Sequence, residues 1–131
     1  MTRKTLGIGV IGFGWMGMAH SRGCRRVPAF FPGRNFDPRL VICGDNMADR
    51  REVATSSFGF EEAAEDWRQV IEHPDVDVVF VTAPNMLHVD LCVAAAEAGK
   101  HVFCEKPVGG TPEQTATVEK ATREQARQGC P

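Results

Sequence analysis

The stretch LGIGVIGFGWMG, residues 6–17, decides the fold. Leu6 to Ile11 read as a short buried strand, and a glycine-rich turn follows. The pattern G-x-G-x-x-G occurs twice and overlaps, once on Gly7, Gly9 and Gly12 and once on Gly12, Gly14 and Gly17. In the first register a helix would open inside VIGFGWMG, where each of three glycines weakens it by about 1 kcal/mol relative to alanine. In the second, LGIGVI is the strand and the helix follows Gly17 with no glycine until Gly23. The second register is the better reading. Gly12 then permits the tight turn, Gly14 a close backbone approach to a pyrophosphate, and Gly17 close packing of helix on sheet. The candidate anion site is the loop Gly12-Phe13-Gly14-Trp15-Met16-Gly17, with N–H groups near Trp15 to Gly17 and the helix dipole supplying the positive end. The alternative is a glycine-rich turn with no ligand; a strand before and a helix after favour the nucleotide site.

The remaining chain extends that frame. Further apolar runs at LVICG (40–44), VDVVFVTA (76–83) and HVFC (101–104) suit parallel strands covered on both faces. Phe58-Gly59-Phe60 is a weaker strand candidate. Helices are predicted over Met18 to about Val27, Asp49 to Ser57, Asp66 to Glu72 and His88 to Ala98. A last helix begins at Thr111-Pro112-Glu113-Gln114, where Thr111 caps and Gln114 completes a capping box. It is expected to run to Gln128, with Ala116, Val118, Ala121 and Ala126 as its core face. The order β-α-β-α-(β)-α-β-α-β-α predicts an α/β domain with a parallel sheet and right-handed crossovers.

Composition agrees with one domain. The chain has 131 residues, 43% apolar and 24% charged, with a net charge of −2. A broad nucleic-acid surface would need a basic excess. The first apolar run is short and broken by glycine, which argues against a signal peptide or a membrane span. The five cysteines, Cys24, Cys43, Cys92, Cys104 and Cys130, are odd in number and share no C-x-x-C spacing. That argues against a disulfide framework or a zinc site and for a reducing, cytoplasmic setting. Cys43 and Cys104 read as small core residues. The chain stops at Cys130-Pro131, where a further strand is expected to begin, so an incomplete protein is expected.

A dinucleotide site places an acid at the end of the second strand, about 20 residues on. Asp37 has nearly that spacing but lies in the turn-rich FFPGRNFDP. Asp45 ends LVICG, and an insertion over 28–38 would account for its greater distance. Position on the sheet favours Asp45. A carboxylate there accepts from ribose hydroxyls and repels a 2′-phosphate, which points to NAD. Arg50 and Arg51 keep NADP open, or else form a solvated helix face. Thr82, Ala83, Pro84, Asn85 and His88 leave the strongest strand toward the ligand crevice. Asn85 as a helix cap and His88 as a surface residue are the alternatives. HVFC ends on Glu105, Lys106 and Pro107 at the same edge, with Pro107 open to a cis peptide. Without a ligand, Glu105 and Lys106 would be an exposed pair worth little to stability.

Taken together, IGFGWMG, VTAPNMLH and AGKHVFCEKPV, followed by a Thr-Pro helix start, resemble the N-terminal half of the glucose–fructose oxidoreductase, inositol dehydrogenase and MocA family, over roughly residues 5–131. The E-K-P motif is far more specific than the glycine fingerprint. The resemblance implies a doubly wound parallel sheet, the Rossmann dinucleotide-binding fold, in a single domain that binds NAD or NADP. It also implies a second α/β domain, absent from this chain, that supplies most of the substrate pocket and an aspartate–histidine pair, and through which oligomers could form. Lys106 matches the lysine that contacts substrate and supports catalysis. Pro84, Asn85 and His88 match a segment bordering the nicotinamide. The expected activity is hydride transfer between nicotinamide and a sugar or polyol carbinol carbon. A non-catalytic dinucleotide-binding sensor or partner subunit is the alternative, with an S-adenosylmethionine methyltransferase behind it. None of His20, His73, His88 and His101 has a clear claim to be the general base.

Overall fold

A computed structural model describes residues 2–129. Five parallel strands form one sheet: β1 (Lys4–Ile11), β2 (Phe36–Gly44), β3 (Glu62–Ala64), β4 (Val78–Val81) and β5 (His101–Cys104). Their spatial order is β3-β2-β1-β4-β5. The chain builds outward from β1 to β3, then crosses back to β4, so the order reverses between β1 and β4, where open α/β sheets form their ligand crevice. The helices are α1 (Trp15–Phe30), α2 (Ala48–Ser56), α3 (Arg68–Glu72), α4 (His88–Glu97) and α5 (Pro112–Arg127). A further strand expected at Cys130-Pro131 lies outside the described residues.

Each face of the sheet has its own core. Ile8, Val10, Cys43 and Leu40 pack with Phe13, Ala54, Phe58 and Phe60 beneath α1 and α2. Ile11, Val79 and Val81 pack with Val70 and Ile71 of α3, Leu91, Cys92 and Ala95 of α4, and Val118 of α5. Burying one such side chain contributes about 1.5–3 kcal/mol. Burial also pushes the Cys43 and Cys92 thiols up to about 12, so both serve as packing groups. Cys104, expected in the core, is only half-buried at the sheet edge.

The glycines of the rejected register have a separate cause. A Cβ on Gly7 would lie 1.7 Å from the Asp75 carbonyl oxygen, and one on Gly9 would lie 2.6 Å from Val70 Cγ1. They let α3 and the segment before β4 press directly onto β1. The Gly7 N–H donates to Asp77 Oδ2 at 2.7 Å, while the Asp77 N–H donates to Gly7 O at 2.8 Å.

Several boundaries move. α1 opens at Trp15 and runs to Phe30, with Pro28 inside its last turn. The first bond of that helix, Met18 N–H to Gly14 O, makes Trp15–Gly17 its first turn. β2 starts at Phe36, so Asp37 and Pro38 are strand residues opposite Thr5 and Leu6. Pro38 is tolerated because β3 covers only Ile42–Gly44 on the other side of β2. The expected insertion over 28–38 is therefore mostly a longer helix and a longer strand. The third strand lies at Glu62–Ala64 rather than around Phe58-Gly59-Phe60. Gly59 has φ +80, which turns the chain, and the two phenylalanines are apolar because they pack on Phe13. Within the 76–83 run the strand itself spans only Val78–Val81.

On α5, Val118 is buried and Ala121 partly so, whereas Ala116 and Ala126 are exposed. Its cap is as expected in part. Thr111 Oγ1 accepts from the Gln114 N–H at 3.2 Å, but Gln114 Oε1 accepts from Gly110 N–H rather than from Thr111.

Gly7→Ala is expected to destabilise the fold by about 2–3 kcal/mol, because the methyl group meets backbone that cannot rotate away. Urea unfolding of the variant beside the wild type measures this, and an unchanged midpoint would contradict it.

Candidate functional site

The parallel ladders place five strand ends in one row. Ile11 pairs with Gly44 and Val81, Gly44 with Ala64, and Val81 with Cys104. The next residues along the chain, Gly12, Asp45, Glu65, Thr82 and Glu105, therefore leave the sheet at one edge. A cleft of about 470 Å³ opens there. Of the residues expected in the site, Gly12, Gly14, Trp15, Met16, Asp45, Thr82, Ala83 and Pro84 line it.

The glycine loop is a fitted cradle. Gly12 has φ +92, and a Cβ on it would lie 2.6 Å from the Ala83 Cα and N. A Cβ on Gly17 would lie 2.3 Å from Gly12 O, so only glycine lets α1 start this close to the turn. Thr82 fastens the same turn from β4: its Oγ1 donates to Gly12 O at 2.5 Å, and its N–H donates to Ile11 O at 2.9 Å. At Gly14 the situation differs. The nearest atom to a Cβ there is Arg50 Nη1 at 3.9 Å, so the space beside Gly14 stays open. The N–H groups of Trp15, Met16 and Gly17 precede the first intrahelical bond, and α1 has neither a side-chain cap nor an acid in its first turn. Unneutralised donors facing open space suit a phosphate.

Asp45 is 7% exposed and held by backbone. Its Oδ2 accepts from the Phe13 N–H and its Oδ1 from the Met47 N–H, both at 2.8 Å. Phe13 thus serves through its N–H, while its ring turns into the core against Phe58 at 4.9 Å and Phe60 at 5.7 Å. Arg50 Nη1 stands 3.5 Å from Asp45 Oδ2, and Arg51 Nη1 donates to Asp45 O at 2.9 Å. Asp37, the competing acid, sits at the amino end of β2 and pairs with Arg34, at the opposite end of the strand from the cleft.

The other expected residues stand beside the cleft. Asn85 opens an exposed 3₁₀ turn, Asn85–Leu87, and neither that turn nor α4 is capped by its side chain among the described residues. His88 is 1% exposed, not a surface residue. Its Nδ1 faces Pro107 O at 2.7 Å and its Nε2 faces Ala83 O at 2.8 Å, so it ties the β4–α4 turn to the loop after β5. The Lys106–Pro107 peptide is cis. Lys106 is exposed, and its ammonium makes no hydrogen bond or salt bridge among the described residues. Glu105 turns toward α1, where Oε1 lies 2.6 Å from His20 Nε2.

Sequence reasoning missed Asn46, Glu65, Trp67, Leu87 and Leu91, all of which line the cleft. Glu65 follows β3, so a correct placement of that strand would have exposed it. Trp67 carries Arg68 over its ring at 4.5 Å and had no motif to announce it.

The chain matches an oxidoreductase family model, described as an NAD-binding Rossmann fold, over residues 6–130. It is similar to a levoglucosan dehydrogenase of Pseudarthrobacter phenanthrenivorans, at 42% identity over 92% of this chain and 31% of that protein. It is also similar to a myo-inositol 2-dehydrogenase of Thermotoga maritima, at 37% identity over 77% of this chain and 28% of the relative. A solved levoglucosan dehydrogenase in complex with NADH and L-sorbose superposes with a TM-score of 0.88, at 38% identity over 92% of this chain and 32% of that one. The chain thus spans about a third of the length of these relatives.

The hydrogen bond from His20, with the nearby charges of His20 and Lys106 behind it, holds the Glu105 carboxyl below the usual carboxylate range. A depressed folded value adds stability above the unfolded value, and that stability is lost as pH falls through the folded one. Glu105→Gln is therefore expected to be less stable than the wild type above about pH 4.3, the ordinary glutamate value. The difference should close at lower pH. Thermal melts across pH 2–7, roughly the carboxylate titration range, check this; a gap that persists unchanged to the acid end would contradict it.

From the cradle, the row of strand ends and this match over nearly the whole chain together, the protein belongs to the GFO_IDH_MocA oxidoreductase family and corresponds to its NAD-binding Rossmann domain.

Proposed function

We propose that this chain holds the dinucleotide of an NAD-dependent dehydrogenase that acts on a hydroxyl carbon of a sugar or polyol. The observation that carries the reading is the shared edge. The open N-terminus of α1, the backbone-held Asp45 and the loop bearing Lys106 follow strand ends in one row. The relatives named as sugar and inositol dehydrogenases support the substrate class.

Each group then has one task. The N–H groups of Trp15 to Gly17 receive the pyrophosphate. Asp45 accepts from ribose hydroxyls, and its charge disfavours a 2′-phosphate, so NAD is the preferred cofactor. Arg50, half-exposed beside Asp45, is the group that would meet a 2′-phosphate, and it sets how much NADPH is tolerated. Pro84, Asn85 and the His88-supported turn border the nicotinamide end. When bound, the nicotinamide supplies or accepts the hydride. Lys106 orients the reacting hydroxyl and stabilises negative charge developing on its oxygen. The rest of the substrate pocket and the proton-transfer groups belong to a second domain of the complete protein. A reducing, cytoplasmic setting fits the free cysteines among the described residues.

Fluorescence titration of the folded chain with NADH is expected to saturate, with NADPH binding more weakly. Asp45→Ala should weaken NADH about tenfold, the loss expected for a hydrogen bond to a charged group, and should narrow the NADH-to-NADPH ratio. A folded chain that does not bind NADH would overturn the proposal.

A further inference from the structure

The loop after β5 is pinned on both faces of the sheet, and one of its pins lies outside everything assigned above. On the α4 side, His88 Nδ1 meets Pro107 O at 2.7 Å. On the α1 side, His20 Nε2 meets Glu105 Oε1 at 2.6 Å. Between them the Glu105 N–H donates to Val81 O at 3.0 Å and fixes the end of the strand. Lys106 is thus the unrestrained side chain in a loop held before and after it.

His20 is well placed to hold Glu105. It stands one helical turn beyond Met16 on α1, the helix whose first turn forms the anion cradle. Its ring lies edge-on to Phe80 at 5.6 Å and to Phe103 at 5.0 Å, and those two rings stack on each other at 5.0 Å. Two aromatic walls fix the imidazole plane, so Nε2 is already aimed before it meets the carboxylate. His20 and Glu105 side chains are 23% and 20% exposed. A part-buried hydrogen bond of this kind, pre-oriented by its neighbours, sets direction.

We infer that His20 is a positioning residue of the cofactor site. Through the Glu105 carboxylate it fixes the course of the backbone at Lys106, and it couples the helix that receives the pyrophosphate to the loop that carries the lysine. The inference rests on the dinucleotide reading proposed above.

NADH titrations of the wild type, His20→Ala, His20→Gln, Glu105→Ala and the His20→Ala/Glu105→Ala double variant test it, with a thermal melt of each. His20→Ala is expected to weaken NADH about threefold to tenfold. His20→Gln, which keeps a side-chain N–H of similar reach, should recover most of that loss. In the Glu105→Ala background, removing His20 should cost nothing further, because the proposed route through the Glu105 carboxylate is gone. Should His20→Ala melt, His20→Asn, too short to reach Glu105, takes its place. Wild-type affinity in the His20 variant overturns the inference, and so does an equal loss in both backgrounds. A folded wild type that fails to bind NADH instead overturns the dinucleotide reading on which it rests.

Discussion

The register of the parallel ladder sets the edge at which Gly12, Asp45, Glu65, Thr82 and Glu105 leave the sheet. Ile11 faces Gly44 and Val81, and those two face Ala64 and Cys104. Because each strand ends at the same level, each following residue emerges at the same edge. A one-residue slip of β4 against β1 would turn Thr82 away from Gly12 O and move its whole set of side chains to the other face. The apolar pattern of both cores resists such a slip: Val79 and Val81 are fully buried beneath the helices of one face, while Ile8 and Val10 are buried on the other.

Binding capacity then follows from what backbone, rather than side chains, supplies. The N-terminus of α1 presents N–H groups whose carbonyl partners are absent by helix geometry, and glycines whose missing Cβ atoms let α1 and β4 approach. Asp45 is fixed by two main-chain N–H donors, so its carboxylate is held in place at the cleft by the fold itself. The protein exposes Trp15 almost completely at this edge, at 88%, although the indole belongs to the first turn of α1. It adds a flat apolar surface to the rim of the cleft.

The loop after β5 shows how a mobile kind of residue is given a direction. A lysine side chain has four rotatable bonds and large rotamer entropy. The structure constrains the residues around it instead. Val81 holds Glu105 by backbone, His20 holds it by side chain, and His88 holds Pro107 from the buried side. Three different elements meet at that loop, and each contact is between residues far apart in sequence.

The sequence by itself determined the alternation of strands and helices, the glycine turn between the first strand and the first helix, and the sheet edge that Asp45 and the residues after HVFC would reach. These were legible because they rest on local pattern: continuous apolar runs, glycine spacing, and caps such as Thr111. Only the tertiary structure decided that Gly7 and Gly9 are packing glycines, that Pro28 and Pro38 lie inside regular elements, and that Phe58 and Phe60 belong to a turn. It alone showed His88 buried, Glu105 turned toward α1, and Glu65 and Trp67 at the cleft. The physical reason is common to all of these. Each depends on an atom from a distant segment, such as the Asp75 carbonyl against Gly7 or His20 against Glu105, and no local pattern records which distant atom the ladder will bring near.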